Sequence, residues 1–379
     1  MAGIYIHIPF CRKACHYCNF HFSTQLDNKL RMVNAIAREL ENRASLWEQY
    51  PIETLYFGGG TPSLLSQEEL TGLLSTVRKQ FNLSATAEIT LEANPDDLSA
   101  VALDSWRKAG INRLSIGVQS FHESDLQWMN RAHSAYEARE GLNRVRAAGF
   151  ENYSIDLIYG TPGLSDVNWV ENMEIAINNK VPHLSCYALT VEEKTTLAHL
   201  VKTGRMPDTD PEQQSRQFLL LMEFAQKAGY EHYEISNFAL PGYRSRHNSS
   251  YWSGELYLGA GPGAHSYDGR YRRWNLSNNA LYIKAIETGE NFHEEELLTE
   301  ENRRHEYIMT ALRTAEGLDL GYYTSQYGLK ETELLAEKLT QYLKQTEKEG
   351  PDRLVFTGDR IVLTDEGKLF ADGIASFFF

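Results

Sequence analysis

The residues best suited to chemistry in this chain are three cysteines. Cys11, Cys15 and Cys18 lie in YIHIPFCRKACHYCNFHF, residues 5–22, at C-x3-C-x2-C spacing. A thiolate is a soft ligand that suits zinc, copper(I) or an iron–sulfur cluster. A [4Fe–4S] cluster held wholly by protein takes four cysteines, so three on one loop would leave an iron open to an outside ligand. The same spacing also fits a zinc knuckle completed by His7 or His16, or three thiols that share no ligand. The fourth cysteine, Cys186, lies in an apolar stretch far along the chain and reads as a buried structural thiol.

Other candidate groups recur down the chain. Gly58 to Ser63 reads GGGTPS; glycines there permit unusual backbone angles and close approach to a ligand, although a tight βα turn needs the same residues. Glu92 ends an apolar run just before Asn94-Pro95, as a surface carboxylate or one facing a site. Gln119 follows RLSIGV, and Asp156 sits inside YSIDLI, where a carboxylate among apolar neighbours is costly unless it is paired or functional. Arg131, in MNRAH, suits a counter-charge or a carboxylate binder. Residues 241–275 gather Arg244, Arg246, His247, Tyr251, Trp252, His265, Arg270, Arg272, Arg273 and Trp274. Imidazole is a usual axial ligand for heme iron, aromatic rings pack on a porphyrin face and arginines suit its propionates. Aromatics at that density also serve as ordinary core.

Positioning these groups falls to a repeating scaffold. Strand-like runs at 4–8, 53–57, 87–92, 113–117, 153–158 and 183–188 alternate with helical patterns such as Leu30, Val33, Ile36, Ala37 and Leu40. Six βα units predict a parallel barrel, complete or partial, and in parallel sheets ligands bind at the C-terminal ends of the strands. The candidate residues fall at those ends. After a polar helical stretch from 190 to 230, Tyr233 to Phe238 reads as a further strand, followed by a loop to residue 275. The last segment carries helical patterns at 301–314 and 331–345, two short strands at 354–357 and 361–364, and a final helix, which together predict a winged-helix-like module.

Composition sets the outer limits. With 379 residues, 42% of them hydrophobic, the chain can bury a large core. A formal charge of −14 disfavours general nucleic-acid binding. Neither a signal-peptide pattern nor a run of about 18 apolar residues occurs, so a cytoplasmic location is expected, where thiols stay reduced.

Tyr5 with HIPFC, GGGTPS, LEANP, RLSIGVQSF, the arginine of MNRAH and IDLIYGTPG occur here in that order. In this the chain resembles the radical S-adenosylmethionine (SAM) superfamily, whose SAM amino and carboxylate groups occupy the open iron. It is most similar to the branch that holds the oxygen-independent coproporphyrinogen III oxidases (HemN) and the heme chaperones called HemW. The similarity is specific over the first two-thirds and looser to the end. It implies an α/β fold, a partial (β/α)6 radical-SAM barrel with a C-terminal winged-helix-like α+β module, and a [4Fe–4S] cluster on Cys11, Cys15 and Cys18. It also implies a SAM site lined by Tyr5, Gly59, Gly60, Thr61, Glu92, Gln119, Arg131 and Asp156. His247-Asn-Ser-Ser-Tyr251-Trp252 matches the HNxxYW motif that marks the chaperones and is associated with heme, so the resemblance adds His247, Tyr251 and Trp252 as heme contacts. His247 is the first candidate for axial ligand and His265 the second.

Two features set the chain apart from the oxidases: they carry a further cysteine where Phe20 stands, and an extension ahead of the cluster strand where this chain offers Met1 to Ile4. Asn19 stands where relatives often have Asp, and Glu193-Lys194 where many have Pro-Gly. The expected division is 1–235 as barrel with cluster loop, 236–297 as heme-motif loop and connecting segment, and 298–379 as the winged-helix-like domain. The expected function is that of a heme chaperone linked to porphyrin biosynthesis, with coproporphyrinogen III oxidase as the enzymatic alternative and a zinc-stabilised barrel as the third. The small-molecule ligands are then SAM and heme. Compatible macromolecular partners are a heme-accepting protein, a second copy in a homodimer and a peripheral membrane contact.

Overall fold

Six strand–helix repeats build the first half of the chain in the computed structural model, which describes residues 2–346 and 351–379. The strands β1 (Ala2–Ile8), β2 (Ile52–Gly59), β3 (Leu83–Ala93), β4 (Arg113–Gln119), β5 (Tyr153–Tyr159) and β6 (His183–Ala188) lie in sequence order, each parallel to the next. Helices between them cover one face. The helix Gln67–Gln80 shows why: Ser66 and Glu69 form a reciprocal cap at its start, and Leu70, Leu73, Leu74 and Val77 make one buried stripe.

Strand side chains alternate, and the two faces differ sharply. Toward the helices point Ile4, Ile6, Ile8, Leu55, Phe57, Leu91, Leu114, Ile116, Ile155, Leu157 and Leu184, all sealed from solvent. Toward the lumen, register aligns Tyr5, Tyr56, Thr90 and Arg113 in one row, and Glu92, Ser115, Ser154 and His183 in another. Barrels of this type usually fill their interior with branched aliphatics. A polar lumen is therefore a sign of ligands or of an internal hydrogen-bond network.

The segment 236–297 is more than a loop and a connection. Tyr233 to Phe238 is not one strand but a hairpin of β7 (Glu231–Glu234) and β8 (Asn237–Ala239), which adds antiparallel to β6. The HNSSYW residues form a helix, Arg246–Trp252, capped by Ser245. Then β9 (Leu256–Ala260) pairs in parallel with β1, and β10 (His265–Tyr267), β11 (Tyr271–Asn275) and β12 (His293–Leu297) follow antiparallel, giving a sheet of twelve strands among the described residues. The parallel part thus has seven strands. Among the described residues the two ends of the sheet do not pair with each other, so the barrel is open on one side.

The C-terminal module has its own core, drawn from Ile308, Leu312, Leu318, Tyr323, Leu335, Leu339, Ile361, Leu363 and Ile374. Its helices Glu300–Leu312 and Leu329–Thr346 and strands β14 (Leu354–Thr357) and β15 (Arg360–Leu363) fall close to the expected positions. The third strand, β13 (Leu318–Asp319), and the helix Leu320–Tyr327 were not expected. The C-terminus docks into this module: Phe379 stacks on His305 with ring centroids 4.6 Å apart, and Lys338 donates to its carbonyl group. Among the described residues no helix is long and apolar enough to cross a membrane.

Candidate functional site

Pro9 ends β1, and the chain then leaves the sheet as the cysteine loop. Backbone bonds pin both ends of that loop, from Cys11 N–H to the Ser23 carbonyl (3.0 Å) and from Ser23 N–H to the Pro9 carbonyl (2.9 Å). Its middle is clamped against the segment that carries Arg131. His16 N–H donates to the Met129 carbonyl, Asn130 donates to the Ala14 carbonyl, and Lys13 donates to the Arg131 carbonyl. Arg12 pairs with Asp96 and Asp97. The loop is therefore held in place although it has no regular structure.

None of the four cysteines is in a disulfide, and Cys11, Cys15 and Cys18 are half-buried. They face one cavity of about 420 Å³ at the C-terminal ends of the strands. The same wall holds Gly59, Gly60, Thr61, Glu92, Gln119, Arg131 and Asp156. Tyr5, expected with them, does not line the cavity and stacks instead on Tyr56, which does, with ring centroids 6.0 Å apart. No three His, Cys, Asp or Glu side chains among the described residues converge on a single-ion position. Three thiols around a shared space suit a polynuclear cluster, which takes its ligands at separate corners, better than one zinc ion. His7, offered as a fourth zinc ligand, has both ring nitrogens in use, on Tyr5 Oη (3.1 Å) and the His21 carbonyl (2.8 Å). Burial pushes the Cys18 thiol up to about 11 and raises Cys11 as well, so a bound metal would have to displace those protons.

The GGGTPS string does more than turn the chain. Gly59 has φ of 109°, and a Cβ there would fall 2.5 Å from the His7 ring. A Cβ on Gly60 would meet the Phe10 and Ile8 carbonyl oxygens at 2.6 and 2.8 Å. Only glycine lets the end of β2 lie against the start of the cysteine loop.

Arg131 links the loop to the strands. Its Nη2 donates to Asn94 Oδ1 (2.6 Å) and the Gly117 carbonyl (2.8 Å), its Nη1 lies 3.4 Å from Cys15 Sγ, and its buried Nε has no partner. A guanidinium that lines the cavity and has a hydrogen bond still unmade fits a carboxylate-bearing ligand. Glu92 accepts from Tyr56 Oη (2.8 Å) and Gly59 N–H (3.1 Å). Burial pushes its carboxyl up to about 7, against the pull of those two hydrogen bonds. Asp156 is also pushed up to about 7, by burial and then by the Glu92 charge, with Arg131 and Ser185 opposing. Gln119 ends β4 at φ 65°, a left-handed conformation costly for a non-glycine residue and worth attention at a strand end.

The HNSSYW helix lies elsewhere, against the N-terminal ends of β1 to β3. Glu88 caps it by accepting from Arg246 N–H (3.1 Å) and His247 N–H (3.0 Å). His247 is 1% exposed; its Nδ1 bonds Thr54 Oγ1 (2.8 Å) and its Nε2 bonds Tyr251 Oη (2.9 Å). Burial lowers its pKa to about 3, and its ring stacks on Tyr56 at 4.9 Å. The first candidate for axial ligand thus offers no free nitrogen. Tyr251 and Trp252 do not line the cavity, and Trp252 lies under the Arg313 guanidinium (5.3 Å); Asn248 is the motif residue that reaches the cavity wall.

Sequence reasoning missed Asn94, which orients Arg131, and Tyr56, which ties Glu92 to His247. Asn94 stands in the LEANP string, but nothing local marks an amide as an arginine's partner. Tyr56 was legible only as one more β-prone residue.

A model of the radical SAM superfamily matches residues 5–176, and one of the HemN C-terminal domain matches residues 298–370. The heme chaperone HemW of Bacillus subtilis (strain 168) is 35% identical over 382 residues, covering 100% of this chain and 99% of that protein. HemW of Escherichia coli (strain K12) is 32% identical over 387 residues, covering 99% and 97%. Among solved structures, the radical SAM enzyme coproporphyrinogen III oxidase (HemN) from Escherichia coli superposes with a TM-score of 0.86 at 24% identity, covering 100% of this chain and 89% of that one, a likeness of fold.

Proposed function

The chain belongs to the HemW family of the radical SAM superfamily, and on that premise we propose that it is a cytoplasmic heme chaperone, which binds a [4Fe–4S] cluster, SAM and heme and hands the heme to an acceptor protein. One observation carries the cofactor half of this reading: three thiols free of disulfides on a clamped loop share a cavity with an arginine whose buried Nε lacks a partner. Cys11, Cys15 and Cys18 would hold three irons and leave the fourth to SAM. Such a cluster, when bound, supplies an electron to the SAM sulfonium.

Around that position the chain's own groups have separate tasks. Arg131 lines the cavity as a fixed positive charge suited to a carboxylate, with Asn94 and the Gly117 carbonyl holding its plane. Glu92 and Asp156 present acceptors for an amino group or ribose hydroxyls, and Gln119 a neutral amide. Gly59 and Gly60 bring bare backbone to the ligand. The heme half of the reading is supported by the full-length relatives that are named heme chaperones.

Anaerobic reconstitution with iron and sulfide, followed by heme titration, tests both halves in one sample. The expected result is iron–sulfur absorbance that SAM perturbs in electron paramagnetic resonance, and then a Soret band saturating at about one heme per chain. The same preparation with SAM and a reductant is expected to leave coproporphyrinogen III unconverted. Conversion above a cluster-free control would overturn the chaperone reading in favour of the oxidase.

A further inference from the structure

The histidine of the recognised motif is sealed, so a heme ligand has to be sought on other elements. The chain has twelve histidines. Among the described residues two are exposed, His199 and His265. His199 sits on the helix Thr196–Lys202, and no aromatic ring among the described residues stacks on it. His265 opens β10, has no hydrogen bond from its ring to any described residue, and stacks beside Trp274 with ring centroids 6.3 Å apart and planes 30° apart.

Sheet register fixes where this pair faces. Gly3 pairs with Tyr257, Tyr257 with Tyr267, Tyr267 with Arg272, and His265 with Trp274. Residues directly opposite in a sheet share a face, and so do residues two apart in one strand. A Cβ on Gly3 would lie 3.4 Å from the His247 ring, so this is the lumen face of β1 continued onto the extension. The intervening Ser266 points the other way, to Gly259 and Arg43. His265 and Trp274 therefore stand on the concave side of the open sheet. They are also at the cluster end: a Cβ on Gly263, two residues earlier, would lie 3.4 Å from His21 of the cysteine loop.

We propose that His265, not His247, is the axial ligand to heme iron, with the Trp274 indole packing beside the porphyrin at the open edge of the barrel. The proposal rests on the heme-chaperone reading and adds the position of the cargo. Three properties favour it. A neutral imidazole with a free nitrogen is what iron takes, and partial covering of the ring together with the Arg272 charge lowers the His265 pKa. An aromatic ring beside it offers apolar area to a flat macrocycle. Exposure lets a cargo leave toward an acceptor, whereas a ligand at the His247 position would have to break two hydrogen bonds and unpack Tyr56 first.

The test is heme titration of the reconstituted full chain, read by the Soret band and by the spin state in electron paramagnetic resonance. For His265→Ala the expected result is binding weaker by about tenfold or more, a changed spin state and unaltered cluster absorbance. His265→Gly should regain the wild-type heme spectrum when imidazole is added, since the site is open to solvent. His199→Ala should titrate as wild type does. An unchanged spectrum and affinity in His265→Ala, with wild type binding heme, overturns the assignment and leaves the chaperone reading standing. Failure of the wild-type chain itself to bind heme removes both.

Discussion

The two ends of this barrel hold similar residue types in opposite conditions. At the C-terminal ends of the strands, thiols, carboxylates and a guanidinium border a cavity of about 420 Å³, and Arg131 Nε is left without a partner. At the N-terminal ends, Glu88, Thr54, His247 and Tyr251 satisfy one another; the first three are shut off from solvent and Tyr251 is half-buried. Buried polar groups that pair internally hold a fold together, and those that face open space are available for a ligand. Residue identity alone would have ranked His247 with the cysteines. Hydrogen-bond satisfaction separates them.

The largest effect that tests this contrast is loss of the cluster. Replacing Cys11, Cys15 or Cys18 by Ala should abolish iron–sulfur absorbance after reconstitution, while Cys186→Ala, in the sealed layer between β6 and its helices, should keep it. A complete cluster in Cys15→Ala would break the comparison at its open end. Apo protein carrying any of the three loop substitutions should unfold at nearly the wild-type denaturant midpoint, because a half-buried thiol without a strong partner contributes little.

The sealed end predicts the reverse. His247→Ala strips Thr54 Oγ1 and Tyr251 Oη of their partner and removes a ring stacked on Tyr56. A cavity plus two stranded hydroxyls amounts to about 3 kcal/mol of stability, visible as a lowered urea midpoint in cluster-free protein. A stable His247→Ala protein that had lost heme binding alone would show that the motif is a ligand site after all.

How legible each end was follows from the same physics. The six parallel strands announced themselves because both of their faces repeat over five or more residues, and Cys11, Cys15 and Cys18 because ligand spacing is local. Strand β9 was not legible: Leu256 to Ala260 includes Gly259, and its partner β1 lies about 250 residues earlier. The motif helix, seven residues long with no apolar stripe, has its capping carboxylate in Glu88, far away in sequence. Local pattern cannot report a hydrogen bond made across the fold. Lys194 shows the opposite case. The resemblance marked Glu193-Lys194 as replacing a Pro-Gly turn, and Lys194 does hold a left-handed φ of 67°, the conformation glycine adopts freely.

A third effect, spread over several pH units, lies in pH dependence at the open end. Glu92 and Asp156 are each pushed up to about 7 in the folded chain. Unfolded, such carboxyls titrate near about 4. Between those values the folded state holds protons that the unfolded state has released, so this contribution to stability is full below about pH 4 and declines as pH rises to about 7. Glu92→Gln should flatten that decline in the thermal midpoint of apo protein, and an undiminished slope would show that Glu92 is ionised throughout. SAM binding, if it needs the carboxylates charged, should strengthen over the same interval.

The smallest effect falls on the residue that joins the two ends. Tyr56 lays its ring on His247 and donates its hydroxyl to Glu92, so Tyr56→Phe keeps the packing and removes the hydrogen bond. Stability should drop by only about 1 kcal/mol, well below the His247→Ala effect, because the ring still covers the imidazole. The informative change is in titration. That hydroxyl favours the charged carboxylate, and without it burial acts on Glu92 less opposed, so its pKa should climb above about 7. The pH at which the stability decline levels off should move upward with it, and a carbon-13 label in the glutamate carboxyls should show one resonance titrating later than in wild type. If that resonance titrates earlier, or does not move, Tyr56 does not act on Glu92, and the two ends of the barrel are independent structures that happen to share strands.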